Sequence, residues 1–144
     1  MIIRKGQISD LKSVINIEKD AYDNPYWNES MLKRLFNKDH NEIWITEIKQ
    51  KIVGFLIEQR CDNEINILNL AIDKSFQNRG LGQEMVGCFL KIIPNNSSVF
   101  LEVKESNFIA RKIYSNLNFK DIDIRKNYYN DGGDAFIMQY KKQL

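Results

Sequence analysis

Gln77, Asn78, Arg79, Gly80, Leu81 and Gly82 run straight into the apolar, helix-periodic segment QEMVGCFLKII, which is the order that an anion site requires. Glycines permit positive φ and close backbone approach, so several N–H groups can converge on an anion, reinforced by the dipole of the helix that follows. Arg79 adds a formal charge. A Walker A loop needs Lys and Ser or Thr after its last glycine to serve terminal phosphates and Mg²⁺, and here Gln83 and Glu84 stand instead. The dinucleotide fingerprint fails twice: Met85 occupies its third glycine position, and DKSFQNR separates the preceding strand from Gly80. A lone G-x-G equally describes a turn that merely starts a helix.

Further along, SVFLEVK alternates Val99, Leu101 and Val103 with Phe100, Glu102 and Lys104, so Glu102 is set apart from the aliphatic face of a strand. By itself that is a solvated strand glutamate. Tyr114 follows Asn107 by two helical turns, which puts both toward one side of a helix, a spacing that also suits an ordinary core aromatic.

The elements that must position these residues follow from hydrophobic periodicity. MIIRK is a short strand. Leu11, Val14, Ile15, Glu18 and Tyr22 mark a helix capped by Ser9 or Asp10, and NESMLKRLF a second helix capped by Asn28. EIWITEI and IVGFLIEQR form an antiparallel hairpin across the polar KQK. In the next strand, EINILNLAI, Ile65 and Ile67 share one face, whereas Leu68, Leu70 and Ile72 fall in the opposite phase. A slip of phase would turn every later side chain to the wrong face, so either a β-bulge lies near Ile67 and Leu68 or the strand is buried on both faces. Met85, Val86, Phe89, Leu90 and Ile93 form one stripe of a third helix that ends at Pro94. SNFIARKIYSNLNF, capped by Ser106 or Asn107 and closed by a left-handed Asn118, is a fourth. DIDIRKNYY and DAFIMQY are joined across NDGG. The order βααβββαβαββ predicts an α/β (α+β) domain with a mixed central sheet of about seven strands and four flanking helices.

The 144 residues suit one domain, 1–144, with 43% apolar and 28% charged residues. No signal-peptide pattern or apolar run of membrane-spanning length occurs, so the expected location is the cytoplasm, with no membrane partner. Cys61 and Cys88 are too far apart for a CxxC pair and read as free thiols in or near the core. His40 is the only histidine, no metal-ligand pattern is present, and a net charge of +2 does not argue for direct nucleic-acid binding.

With Q-x-x-G-x-G between an apolar strand and an amphipathic helix, then LEV, an N-capped helix carrying a tyrosine, and LNF, the chain resembles the GNAT acetyltransferases. NLAIDKSFQNRGLGQ, LEVKESNFIARKIYSNLNF and RKNYYNDGGDAFIM are similar to successive motifs of the RimI-type N-terminal acetyltransferases, which act on the N-terminal alanine of a small-subunit ribosomal protein. Four positions depart from that pattern. Lys104 stands for arginine, Asn118 for glycine, Tyr26 is inserted in a PW element, and Gly133 precedes Asp134 in place of an acid.

The resemblance implies acetyl-CoA as cosubstrate and a protein N-terminus, that of a ribosomal protein, as partner. Transfer from a thioester to an amine needs an unprotonated amine, a polarised carbonyl and protonation of the leaving thiolate. The resemblance makes Glu102 the general base and Tyr114 the proton donor. It makes the backbone of Asn78, Arg79, Gly80, Leu81, Gly82 and Gln83 the pyrophosphate cradle. Splayed fourth and fifth strands would let backbone groups of Leu70, Ala71 and Ile72 bond pantetheine like an added strand, helped by the Asn107 amide. Tyr22, Tyr26, Trp27, Tyr128 and Tyr129 are candidates for the wall of a peptide groove.

Overall fold

The computed structural model describes residues 1–21 and 28–143. Its elements, in chain order, are β1 (Ile2–Lys5), α1 (Leu11–Ala21), α2 (Glu29–Phe36), β2 (Asn41–Ile48), β3 (Lys51–Cys61), β4 (Glu64–Ile72), α3 (Leu81–Ile92), β5 (Ser98–Lys104), α4 (Phe108–Asn116), β6 (Lys120–Arg125) and β7 (Ala135–Lys141). The seven strands form one mixed sheet in the order β1-β2-β3-β4-β5-β7-β6, with β4 and β5 parallel and every other pair antiparallel.

Local chemistry accounts for several of the helix ends. Asn28 Oδ1 accepts from the Met31 N–H at 2.9 Å and Asn107 Oδ1 from the Ala110 N–H at 3.2 Å, each satisfying a donor that the first helical turn leaves unpaired. Asn118 closes α4 at φ 71°, where its short polar side chain tolerates the left-handed region. The start of α1 differs from expectation. A 3-10 turn, Ile8–Asp10, precedes it with Gln7 at its N-cap, and Asp10 reaches back to accept from the Gln7 N–H at 2.8 Å instead of capping forward. Tyr22 lies outside the described residues.

Helices cover the two faces unequally. Met85, Val86, Phe89, Leu90 and Ile93 of the α3 segment, with Tyr114 of α4, bury one face against Leu56, Ile65, Ile67, Ile72, Val99, Leu101, Val103 and Met138. Val14 and Ile17 of α1 with Leu32 and Leu35 of α2 bury the other against Ile43, Ile45, Phe55, Ile57 and Ala71. Among the described residues that second cluster contains members of β2, β3 and β4 but none of β5, β6 or β7, so neither α1 nor α2 covers the face of the last three strands that carries Glu102.

The phase slip in β4 resolves as a bulge. Ile57 pairs with Asn69 and Glu58 with Ile67, leaving Leu68 as the extra residue. Leu70 and Ile72 thereby rejoin Ile65 and Ile67 on the α3/α4 face, while Leu68 packs with the α1/α2 cluster. The expectation that both cysteines sit in or near the core fails for Cys61, which is exposed at the β3–β4 turn; Cys88 is half-buried. Among the described residues no helix is long and apolar enough to cross a membrane.

Candidate active site

The parallel ladder between β4 and β5 is short: Glu64, Ile65 and Asn66 pair with Ser98, Val99 and Phe100, and the pairing ends there. The strands then part, with the Leu68 bulge just beyond the last pair. Ladder parity decides which peptide groups face the opening. Asp73 N–H donates to the Val53 carbonyl at 2.7 Å, which makes this a hydrogen-bonded pair. Alternation then turns the peptide groups of Ala71 toward Phe55, its partner on β3, and those of Leu70 and Ile72 toward the β5 side. Ala71 therefore departs from the expectation for all three residues, because its backbone is spent on the β3 ladder. The Ile72 carbonyl already accepts from Gln77 Nε2 at 3.0 Å.

Gln77 thus ties the loop after β4 to the strand end, and it also reaches the Ala21 carbonyl at 3.4 Å. Asn78 at φ 65° and Gly80 at φ 77° turn the loop into α3. No side chain caps this helix, in contrast to α2 and α4, and Gly80 itself is the N-cap. Among the described residues, a Cβ placed on Gly80 would meet nothing within 4 Å, and one on Gly82 only Ile72 Cγ1 at 3.9 Å. Among the described residues nothing closes over this helix start, which fits an anionic group held by backbone N–H donors. Arg79 folds back over the loop, with its guanidinium 5.1 Å from the Phe76 ring centroid and a 3.3 Å bond to the Ser75 carbonyl.

Glu102 and Tyr114 lie on opposite faces of the sheet. Val99, Leu101 and Val103 point into the α3/α4 core, so Glu102 projects from the other face, its side chain about a third exposed. Arg125 Nη1 lies 3.2 Å from its Oε1. Tyr114 is 8% exposed, its ring 5.6 Å from that of Phe119, so the aromatic body is core whatever its hydroxyl does. Asn107, the α4 cap, sits at the end of α4 nearest the tip of β5.

Several residues that periodicity does not reveal complete this region. The buried Glu18 of α1, 1% exposed, accepts from Asn69 Nδ2 at 3.1 Å and so fastens the bulge to α1. The loop 126–134 is fastened to β5 and closed on itself: Lys104 pairs with Asp131, Lys126 with Asp134 at 3.1 Å, and Asn127 N–H donates to Asp134 at 2.9 Å. The Lys104 ammonium also lies 5.7 Å from the Tyr129 ring, and the Tyr128 and Tyr129 rings meet edge to face at 5.2 Å. Lys104, which stands where the resembling motif has arginine, is therefore the post on which this loop is hung. Tyr26 and Trp27, the other proposed groove aromatics, lie with Tyr22 outside the described residues.

The family model described as Acetyltransferase (GNAT) family matches residues 11–119. An uncharacterized N-acetyltransferase of Methanocaldococcus jannaschii is 31% identical over 145 residues, covering 99% of this chain and 92% of that protein. The [ribosomal protein bS18]-alanine N-acetyltransferase of Escherichia coli K12 is 30% identical over 137 residues, covering 92% of this chain and 91% of that protein. The crystal structure of the ribosomal-protein-S18-alanine N-acetyltransferase from Escherichia coli superposes with a TM-score of 0.89 at 27% identity, over 99% of this chain and 94% of that one.

Proposed function

Because the chain belongs to the GNAT acetyltransferase family and is an N-acetyltransferase, we propose that it acetylates a protein N-terminal α-amine from acetyl-CoA, the acceptor being the N-terminal alanine of a small-subunit ribosomal protein. The observation that carries this reading is the parting of β4 and β5 after Asn66 and Phe100, with a glycine-started helix at one end of the opening and Glu102 on its wall. The acceptor assignment is supported by the relative from Escherichia coli, named for the alanine of a ribosomal protein and matched over nearly its whole length.

The residues divide the work as follows. Backbone N–H groups of Asn78, Arg79, Gly80, Leu81, Gly82 and Gln83 hold the pyrophosphate of acetyl-CoA at the start of α3. Leu70 and Ile72 turn their peptide edge toward the pantetheine amides, where the Ile72 N–H donates while its carbonyl stays with Gln77, and Ala71 holds that edge against β3. Asn107 spends Oδ1 on its own helix, so its NH2 group is the part that donates to the arm. Bound acetyl-CoA supplies the thioester. Glu102 accepts the amine proton through a water molecule as the new C–N bond forms, and Tyr114 gives its phenolic proton to the departing thiolate sulfur, which balances the protons. An α-amine, with a pKa of about 8 against about 10.4 for lysine, is about a tenth deprotonated at neutral pH where lysine is less than about a thousandth, and so demands less of its base. An exposed carboxylate suits that lighter demand. Cys61 lies at the far, paired end of β3 and β4, which favours direct transfer over an acetyl-cysteine intermediate.

Mass spectrometry of a peptide panel incubated with acetyl-CoA tests the assignment. Acetyl on the α-amine of alanine-initiated peptides is expected. Incorporation at lysine alone rejects the N-terminal acceptor, and no incorporation in any peptide or small amine rejects catalysis in favour of a domain that only binds acyl-CoA.

A further inference from the structure

The last hairpin contains a register break that the reaction above leaves unused. β6 pairs with β7 as Asp121 with Met138 and then Asp123 with Ile137, so Ile122 is an extra residue. Met138 belongs to the α3/α4 core and stands opposite Leu101, whereas Ile137 stands opposite Glu102. In a regular strand, alternation would keep Arg125 on the face of Asp121, toward α4. The extra residue turns Asp123 and Arg125 onto the face of Glu102, which is what a bulge near a reactive centre commonly does.

On that face Arg125 makes two contacts. Its Nη1 lies 3.2 Å from Glu102 Oε1, and its guanidinium carbon lies 5.4 Å from the centroid of Tyr128. The other charged groups nearby have partners of their own: Lys104 on β5 meets Asp131, and Lys126 meets Asp134. Lys120 and Asp123 on β6 share the face, and β7 presents Ala135, Ile137, Gln139 and, at its far end opposite Ser98, Lys141 there; neither lysine is paired with Glu102. Among the described residues the Arg125 guanidinium is thus the cation on the Glu102 carboxylate. Half-exposed ion pairs add little to stability, so stability does not explain why a bulge is spent on this one. Orientation does. A glutamate on an open strand face has several rotamers, and general-base catalysis requires one.

We propose that Arg125, re-aimed by the Ile122 bulge, is a positioning residue for Glu102, and that through Tyr128 it couples the loop 126–134 to the carboxylate. The proposal rests on Glu102 acting as the base. The test is a double-mutant cycle with an alanine-initiated peptide and acetyl-CoA. Arg125→Gln is expected to lower kcat by ~10- to 100-fold, the loss typical of a misplaced catalytic group, with KM for acetyl-CoA and the melting temperature unchanged. In a Glu102→Gln background the same change should cost nothing further, and Arg125→Lys, which keeps the charge without the planar fork, should fall between the two. Additive losses in the double variant, unchanged kcat in Arg125→Gln, or a loss confined to KM for the peptide would each overturn the positioning role. Wild-type turnover in Glu102→Gln would instead overturn the base assignment itself.

Discussion

Gly80 and Gly82 are glycines for different physical reasons. Gly80 holds φ 77°, so an L side chain there is strained even though a Cβ would touch nothing. Gly82 is inside α3, where glycine costs ~1 kcal/mol against alanine, and a Cβ would make one ordinary contact. The fold itself does not ask for Gly82. Gly82→Val is therefore expected to leave stability within about 1 kcal/mol of the parent while weakening acetyl-CoA binding at least tenfold by isothermal titration; unaltered affinity would remove this residue from the cradle. At the reacting centre, Glu102→Gln and Tyr114→Phe should each lower kcat by ~10²- to 10⁴-fold and retain acetyl-CoA affinity. Tyr114→Phe keeps the ring on Phe119, so a lost activity with an intact fold would separate the phenol's chemistry from its packing. Full turnover in both variants would sink the proton assignments.

At the scale of elements, the loop 126–134 depends on two carboxylates for its shape. The Lys104 ammonium, helped by the Gly133 N–H, holds the Asp131 carboxyl below the ordinary range, and the Asn127 N–H with Lys126 does the same for Asp134. A group whose folded pKa is depressed contributes order that is present above its unfolded value, about 3.9, and lost as pH falls through the folded value. Amide protection in this loop should accordingly be constant from pH 8 to 5 and collapse below about pH 4. Asp131→Asn should show the loosened loop already at neutral pH and raise KM for the peptide more than KM for acetyl-CoA. Protection that is indifferent to acid would mean that the loop is held by something other than these pairs. Gln77 plays the matching role at the other end of the site, where its amide bonds to Ile72 and Ala21 fix the approach of the cradle loop to β4.

For the molecule as a whole, Arg4 joins three segments that are distant in the chain or separately folded. It pairs with Asp10 at 2.9 Å before α1 and with Glu47 at 3.0 Å on β2. The hydrogen bonds from Arg4 hold the Asp10 carboxyl below its ordinary range against the opposing effect of burial, and Asp10 in turn raises Arg4 further above its usual value. By the same sign, the stability that Asp10 contributes is fully present above about pH 4 and lost as pH falls through its folded value. Asp10→Asn should flatten the acid limb of the melting temperature between pH 5 and pH 2 relative to the parent, as followed by circular dichroism. Superimposable pH profiles would show that the clamp is energetically idle. Among the described residues the helices leave the α1/α2 face of β5, β7 and β6 open, so the acceptor side proposed above is a feature of layer coverage as well as of individual residues.

Much of this architecture was legible without coordinates, and the reason is that periodicity is a local property. Apolar spacing of two or 3.6 residues gave the order of strands and helices, Asn28, Asn118 and the Ser106–Asn107 pair marked helix ends, and the phase slip after Ile67 left a bulge or a doubly buried strand, between which the β3–β4 register decides for a bulge at Leu68. Glycines opening an apolar helix suited an anion site or a plain helix start alike, and only the motif resemblance proposed Glu102, Asn107 and Tyr114 beside it. Other features needed the tertiary structure. Whether Ala71 or its neighbours present peptide groups to the opening depends on the hydrogen-bonding parity of a ladder with β3. The bulge at Ile122 left no trace, because KDIDIR alternates regularly and either phase leaves charged groups in water at an exposed edge. Buried apolar side chains penalise the wrong face and so write their geometry into the sequence, whereas exposed charges penalise neither face. Which cation meets Glu102, and which acid fastens Lys104, was decided only when β7 inserted between β5 and β6 and brought residues more than twenty positions apart within 4 Å.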